Sequence, residues 1–173
     1  MKDLQTLLRQ VKAKVNKRKW QDWLRPGSVD RELGALLVQF AQRECSSENL
    51  IGWAHCEVYA GRRTWLLSSL PGSNRHAKLC YVYALFGPNA QQELNVSKRT
   101  WEPVVKLIES GKASSPSSAL DGVSKEVQGN VTDTLSRFAF DDAMVKYAAR
   151  SETFLKRLFG GGALKDYTNN MNR

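Results

Sequence analysis

Cysteine and histidine are scarce in this chain: Cys45, Cys56 and Cys80, and His55 and His76. An odd number of cysteines argues against a disulfide framework and fits a reducing compartment. No Cys-x-x-Cys pair occurs. His76 and Cys80 could share a helix face, but zinc spacing is not met, so no metal site is expected and the thiols are read as free and buried or partly buried. No apolar run reaches the length of a membrane span. The first twenty residues are broken by charge throughout and hold no apolar signal core, so a cytoplasmic setting is the expectation. No Gly-rich loop precedes Lys-Ser or Lys-Thr, which excludes a phosphate-binding P-loop, and no Gly-x-Ser-x-Gly elbow occurs. Asp141-Asp142 and Glu44 with Glu48 are carboxylate pairs that ordinary solvated helix faces explain. With two histidines and no metal set, acid–base or nucleophilic catalysis has no team; neither chemistry of its own nor a cofactor is expected.

What the chain does contain is enough for one domain. Its 173 residues include five Trp, five Tyr and six Phe, large pieces for a core. The net charge is +9, and its distribution is uneven. Residues 1–20 hold Lys2, Arg9, Lys12, Lys14, Lys17, Arg18 and Lys19 against Asp3, a net +6 that leaves +3 for the remainder. Leu4, Leu7, Leu8, Val11 and Val15 keep helical spacing through this arm. Residues 1–22 therefore read as a basic amphipathic helix with three open roles. It docks on the domain, it lies on an anionic membrane surface through Lys12, Lys14, Lys17, Arg18 and Lys19, or it binds nucleic acid or an acidic partner. The nucleic-acid role has least support, because aromatic residues are missing until Trp20 and Trp23.

Beyond a turn at Arg25-Pro26-Gly27-Ser28, apolar stripes of helical period alternate with breaks. Helices are predicted over about 30–45, 47–61 and 75–87. Another is predicted after Thr100 as N-cap, with Pro103 in its first turn and Trp101, Val104, Val105 and Ile108 facing the core. Asn89 to Arg99 is a polar connector. Residues 110–130, rich in Ser, Gly and Ala, read as a long polar loop, a surface insertion with at most one short turn near Ala119 to Lys125. Phe140, Ala143, Met144 and Tyr147 mark a late helix. Phe154, Leu155, Leu158 and Phe159 mark the last, stopped by Gly160-Gly161-Gly162, and 161–173 form a loose tail. Strict alternation is rare and no strand is convincing. The expected architecture is an all-α bundle of seven to nine short helices.

The break at Glu44-Cys45-Ser46-Ser47-Glu48-Asn49 is unusually rich in hydrogen-bonding groups. Leu33, Leu36, Leu37 and Phe40 precede it; Leu50, Trp53, Ala54 and Val58 follow. Ser46 and Ser47 suit N-caps, and Glu48 suits the positive end of the helix dipole. Asn49 is a poor interior helix residue and a good surface recogniser, expected with Glu48 at an exposed helix start.

This run, Phe40 then Glu44 to Trp53, resembles the signature of the regulator of G-protein signalling (RGS) domain, whose typical form is Phe, then Glu-Tyr-Ser-Glu-Glu-Asn-Ile/Leu, an apolar residue and Phe-Trp. Cys56-Glu57 resembles the Cys-Glu that often follows. Glu93-Leu94-Asn95-Val96 looks like the family's Glu-Ile/Val-Asn-Leu segment, and Tyr81 to Phe86 like the apolar helix before it. Phe140-Asp141-Asp142-Ala143 and Phe154-Leu155-Lys156 are similar to two later motifs. The resemblance spans about residues 23–160 and departs from the pattern at Cys45, where the family carries Tyr. It implies an RGS-like helical domain that binds the active, GTP-bound α subunit of a heterotrimeric G protein and orders its switch segments, supplying no catalytic group. It further implies that Glu48 and Asn49 contact a switch segment, that Ser46 borders the same surface, and that Asn95 reaches toward the GTPase site. The family's final binding motif, an acidic residue four to five positions before Phe-Leu with an Arg nearby, has no clean match; the stretch in its place runs from Ala148 to Thr153, with Arg150 as its basic residue. Two alternatives stay open: the same fold as a scaffold without GTPase activation, and a basic helical protein held peripherally at the plasma membrane.

Overall fold

In a computed structural model of the chain, residues 20–28 and 30–150 are described, residues 145 and 148–150 by their backbone alone. They form six α-helices: α1 (Arg31–Arg43), α2 (Ser47–Tyr59), α3 (Arg75–Phe86), α4 (Lys98–Glu109), α5 (Asp121–Phe138) and α6 (Asp142–Arg150). Two 3-10 turns, Trp20–Leu24 and Ser117–Leu120, complete the set. Among the described residues there is no strand, and no helix is long and apolar enough to cross a membrane. The basic segment with Lys12, Lys14, Lys17, Arg18 and Lys19, the last expected helix and the tail 161–173 lie outside the described residues.

Helix α2 is the central strut. Nine of its 13 residues are buried, including Leu50, Trp53, Cys56 and Tyr59, so it lacks the one-sided stripe of a surface helix. It packs most broadly on α5 and also on α1 and α3. The α2–α5 pair runs antiparallel: Ser46 meets Thr134 at one end, and Glu57 meets Ser124 at the other. Helix α1 buries Leu33, Leu37, Phe40 and Ala41, the spacing of one helix face. The first 3-10 turn lies on α1 so closely that a Cβ at Gly34 would stand 2.4 Å from the Trp23 carbonyl oxygen. Trp20, 4% exposed, packs its ring 4.5 Å from that of Trp53. Trp20 and Gln21 therefore belong to the packed body.

Three sequence expectations need correction. The polar loop expected over 110–130 ends at Pro116; from Asp121 the chain is α5, at 18 residues the longest of the six. Val123, Val127, Val131, Leu135 and Phe138 form its buried stripe, so this segment is a core wall and not an insertion. The fourth helix starts at Lys98 with Ser97 at the N-cap position, which puts Thr100 inside the first turn and Pro103 beyond it. Phe140, expected on the core face of the late helix, precedes α6 and is 47% exposed; Met144 and Tyr147 do face inward.

Candidate functional site

The corner between α1 and α2 is built by a left-handed residue. Cys45 has φ +52°, a conformation that favours glycine. It lets the Ser46 amide return to the Ala41 carbonyl at 2.8 Å and the Cys45 amide to Gln42 at 3.3 Å, the paired bonds of a Schellman motif. The Ser46 hydroxyl follows its own backbone and donates to the Ala41 carbonyl at 3.4 Å. Ser46 thus occupies the N-cap position of α2, but makes no side-chain cap, contrary to expectation. It closes the end of α1 instead, while the Thr134 hydroxyl approaches its oxygen at 3.4 Å from α5. The same chain reversal at the end of α2 uses Gly61, φ +75°, with bonds from Gly61 to Val58 and from Arg62 to Glu57.

Asn49 is not an exposed residue. It is 6% exposed, and Glu48 is half-buried beside it. The Asn49 side-chain NH2 donates to the Glu48 carboxylate at 3.0 Å, and its carbonyl oxygen accepts from Asn130 Nδ2 at 3.5 Å. Asn130, on α5, also donates to the Asn95 backbone carbonyl at 2.7 Å. Asn95 itself is exposed, on the connector between α3 and α4. That connector is pinned elsewhere too. Leu94, 1% exposed, sits against the bare backbone of Gly52, where an added Cβ would meet its methyls at 2.6 and 2.7 Å. The Leu94 amide donates to the Phe86 carbonyl at 3.1 Å, and the Ser97 amide to Glu126 at 2.8 Å. Thr100 donates to the same carboxylate at 2.6 Å; the Thr100 and Ser97 bonds hold Glu126 below the usual carboxylate range.

The structure therefore brings Ser46, Glu48, Asn49 and Asn95 to one end of the molecule, linked through α5. Arg150 ends α6, and its side chain lies outside the described residues. Sequence reasoning missed the α5 contributors Asn130, Thr134 and Arg137. Arg137 pairs with Glu44 at 3.0 Å, and Arg43 with Asp141 at 2.6 Å, flanking the corner with exposed ion pairs. The signal was present: Val123, Val127, Val131 and Leu135 recur every four residues, and such a stripe puts Asn130, Thr134 and Arg137 together on a neighbouring strip.

At the opposite end of α2 a polar cleft of about 300 Å³ is lined by Glu57, Arg62, Arg63, Asp121, Ser124 and their neighbours. Glu57 is 3% exposed. Burial would raise its carboxyl, but hydrogen bonds from Arg62 and Ser124 and the charges of Arg62 and Arg63 outweigh that and hold it below its ordinary value. Arg62 spans the gap to Asp121 at 2.7 Å. Burial, with the Glu57 charge beside it, pushes the neighbouring Cys56 thiol up to about 12, so it is no thiolate nucleophile near neutral pH. Cys45 is the exposed thiol, against the expectation of burial; Cys80 is intermediate, 3.6 Å from the His76 ring. No group of three or more metal-ligating side chains occurs among the described residues. No protein-family model matches the chain, and neither a curated protein nor a solved structure does.

Proposed function

We propose that this protein is an RGS-type regulator that binds the active α subunit of a heterotrimeric G protein and accelerates its GTP hydrolysis by holding the switch segments in place. The observation that carries the reading is the juxtaposition of two segments 46 residues apart in sequence, the start of α2 and the α3–α4 connector: Asn49 and Asn95 both bond to the one Asn130 amide. A surface assembled from the α1–α2 corner and the α3–α4 connector suits a partner that must be held at two places. Phosphoryl transfer depends mainly on positioning and electrostatics, so ordering a mobile glutamine and its attacking water is enough to speed it. The exposed Asn95 amide can donate and accept at once, which fits fixing another amide. Helix α5 supplies a third segment. Asp133, Arg137 and Phe138 keep part of the family's final motif, an acidic residue shortly before Phe with an Arg nearby, with Ala139 where the motif has Leu. Thr134 and Arg137 lie against the corner. In this reading the exposed Asp133 and Arg137 on α5 take the place expected for Arg150, which ends α6.

The half-buried Glu48 acts indirectly in this scheme. A carboxylate only accepts hydrogen bonds, so it turns the Asn49 NH2 toward itself and fixes which way that amide faces. Single-turnover GTP hydrolysis by Gα proteins, with and without the chain, tests the proposal. Acceleration is expected with at least one Gα class, and Asn95→Ala should remove most of it, a loss on the order of 100-fold if positioning is the whole effect. Binding to activated Gα without acceleration would instead support a scaffold of the same fold, and no effect on any Gα would sink both.

A further inference from the structure

We infer that Asn130 is the positioning residue of this face, a single side-chain amide that sets the α3–α4 connector in register with the start of α2. The inference rests on the proposed function for its consequence, though not for its geometry. Both protons of the Asn130 NH2 are accounted for: one goes to the Asn95 carbonyl at 2.7 Å, the other to Asn49 Oδ1 at 3.5 Å. These partners are 35 and 81 residues away in sequence, so the amide staples three segments that chain connectivity leaves apart.

The orientation of every amide in the set is determined. Glu48 only accepts, so Asn49 must present its NH2 to Glu48 and its oxygen to Asn130. The Asn95 carbonyl only accepts as well. Turning the Asn130 amide over would place oxygen against two oxygens, so the relay from Glu48 to Asn95 has one arrangement. Its base is rigid. Asn130 stands between the buried Val127 and Val131, and the Thr134 hydroxyl donates to its carbonyl at 3.3 Å. Because Asn130 grips the backbone of residue 95, the Asn95 side chain stays exposed for a partner. Leu94 seated on Gly52 fixes the depth of the connector, and Asn130 fixes its lateral placement. Asn130 acts through Asn49 and Asn95 and touches no reacting group.

Asn130→Asp tests this in the full chain, because it keeps the shape and replaces the donor by an acceptor facing two acceptors. Amide hydrogen exchange at Leu94, bonded to the Phe86 carbonyl at the end of α3, and at Val96, bonded to Leu94 within the connector, should rise about tenfold, with Val127 and Val131 unchanged. In single-turnover hydrolysis with Gα, the maximal rate should fall about tenfold, with a smaller change in the concentration needed for half-effect. Adding Asn95→Ala to Asn130→Asp should then cost much less than Asn95→Ala alone. Unchanged exchange at Leu94 and Val96 overturns the inference whatever the chain does to Gα. Exchange that rises equally at Val127 and Val131 also overturns it, since the variant would then be loosening the whole fold. Local exchange that rises in a chain with no effect on any Gα supports the staple and removes the function built on it.

Discussion

Cys45 shows how much one backbone angle decides. Its φ of +52° produces the Schellman reversal that ends α1 and brings Ser46 back onto Ala41. A side chain there costs on the order of 1 kcal/mol relative to glycine. Cys45→Gly should therefore raise the urea midpoint by the equivalent of about 0.5–1 kcal/mol, with the corner unchanged. A lower midpoint would mean the side chain contributes something the angle does not reveal. Gly52 makes the reverse case. Its missing Cβ is the space Leu94 occupies, so Gly52→Ala should cost about 1–3 kcal/mol in urea unfolding and displace the connector that carries Asn95. The corner was legible as a string of polar residues between two stripes. The roles inside it were not, because Ser46 and Ser47 advertise N-caps equally well whether or not the preceding residue is left-handed.

At the scale of elements, α5 is the instructive case. Asp121-Gly-Val-Ser-Lys-Glu-Val-Gln-Gly-Asn-Val-Thr contains two glycines and several β-branched residues, poor helix formers by local preference. The helix forms because its valine stripe closes against α2, and packing outweighs propensity. Val127→Ala should accordingly cost about 2 kcal/mol in chemical unfolding, where the same change in a tolerated surface loop would cost almost nothing. The other helices were legible within a few residues. Their apolar positions recur at helical spacing and their ends carry Gly, Asn or Pro, as at Asn74, which caps α3 by accepting from the Ala77 amide at 2.9 Å.

For the molecule as a whole, acid should be the sensitive direction. The Glu57 carboxyl, held below its ordinary value near 4.5, contributes stability that is fully present above that value and lost as the pH falls through the lowered one. His55, lowered from 6.5 by burial although the Ile51 carbonyl bond raises it, adds a loss that begins as the pH drops below 6.5. Stability measured by urea unfolding from pH 7 to pH 3 should fall in two stages. Glu57→Gln should shrink the lower stage, to which Glu126 also contributes, and lower the stability at pH 7, because Arg62 and Arg63 lose their buried counter-charge. A single-stage curve unaffected by that variant would show the ion network contributes nothing. The sequence by itself determined the all-helical class, the positions of most breaks, and the two polar segments that carry Asn49 at a helix start and Asn95 in a connector, because periodicity and turn chemistry act within a few residues. Only the tertiary structure decided that Asn49 is buried, that 121–138 is a helix, and that Asn130 joins the two segments. Those outcomes depend on α2 and the α3–α4 connector, 81 and 35 residues away in sequence, both meeting α5, and no local pattern records which distant surface a residue will face.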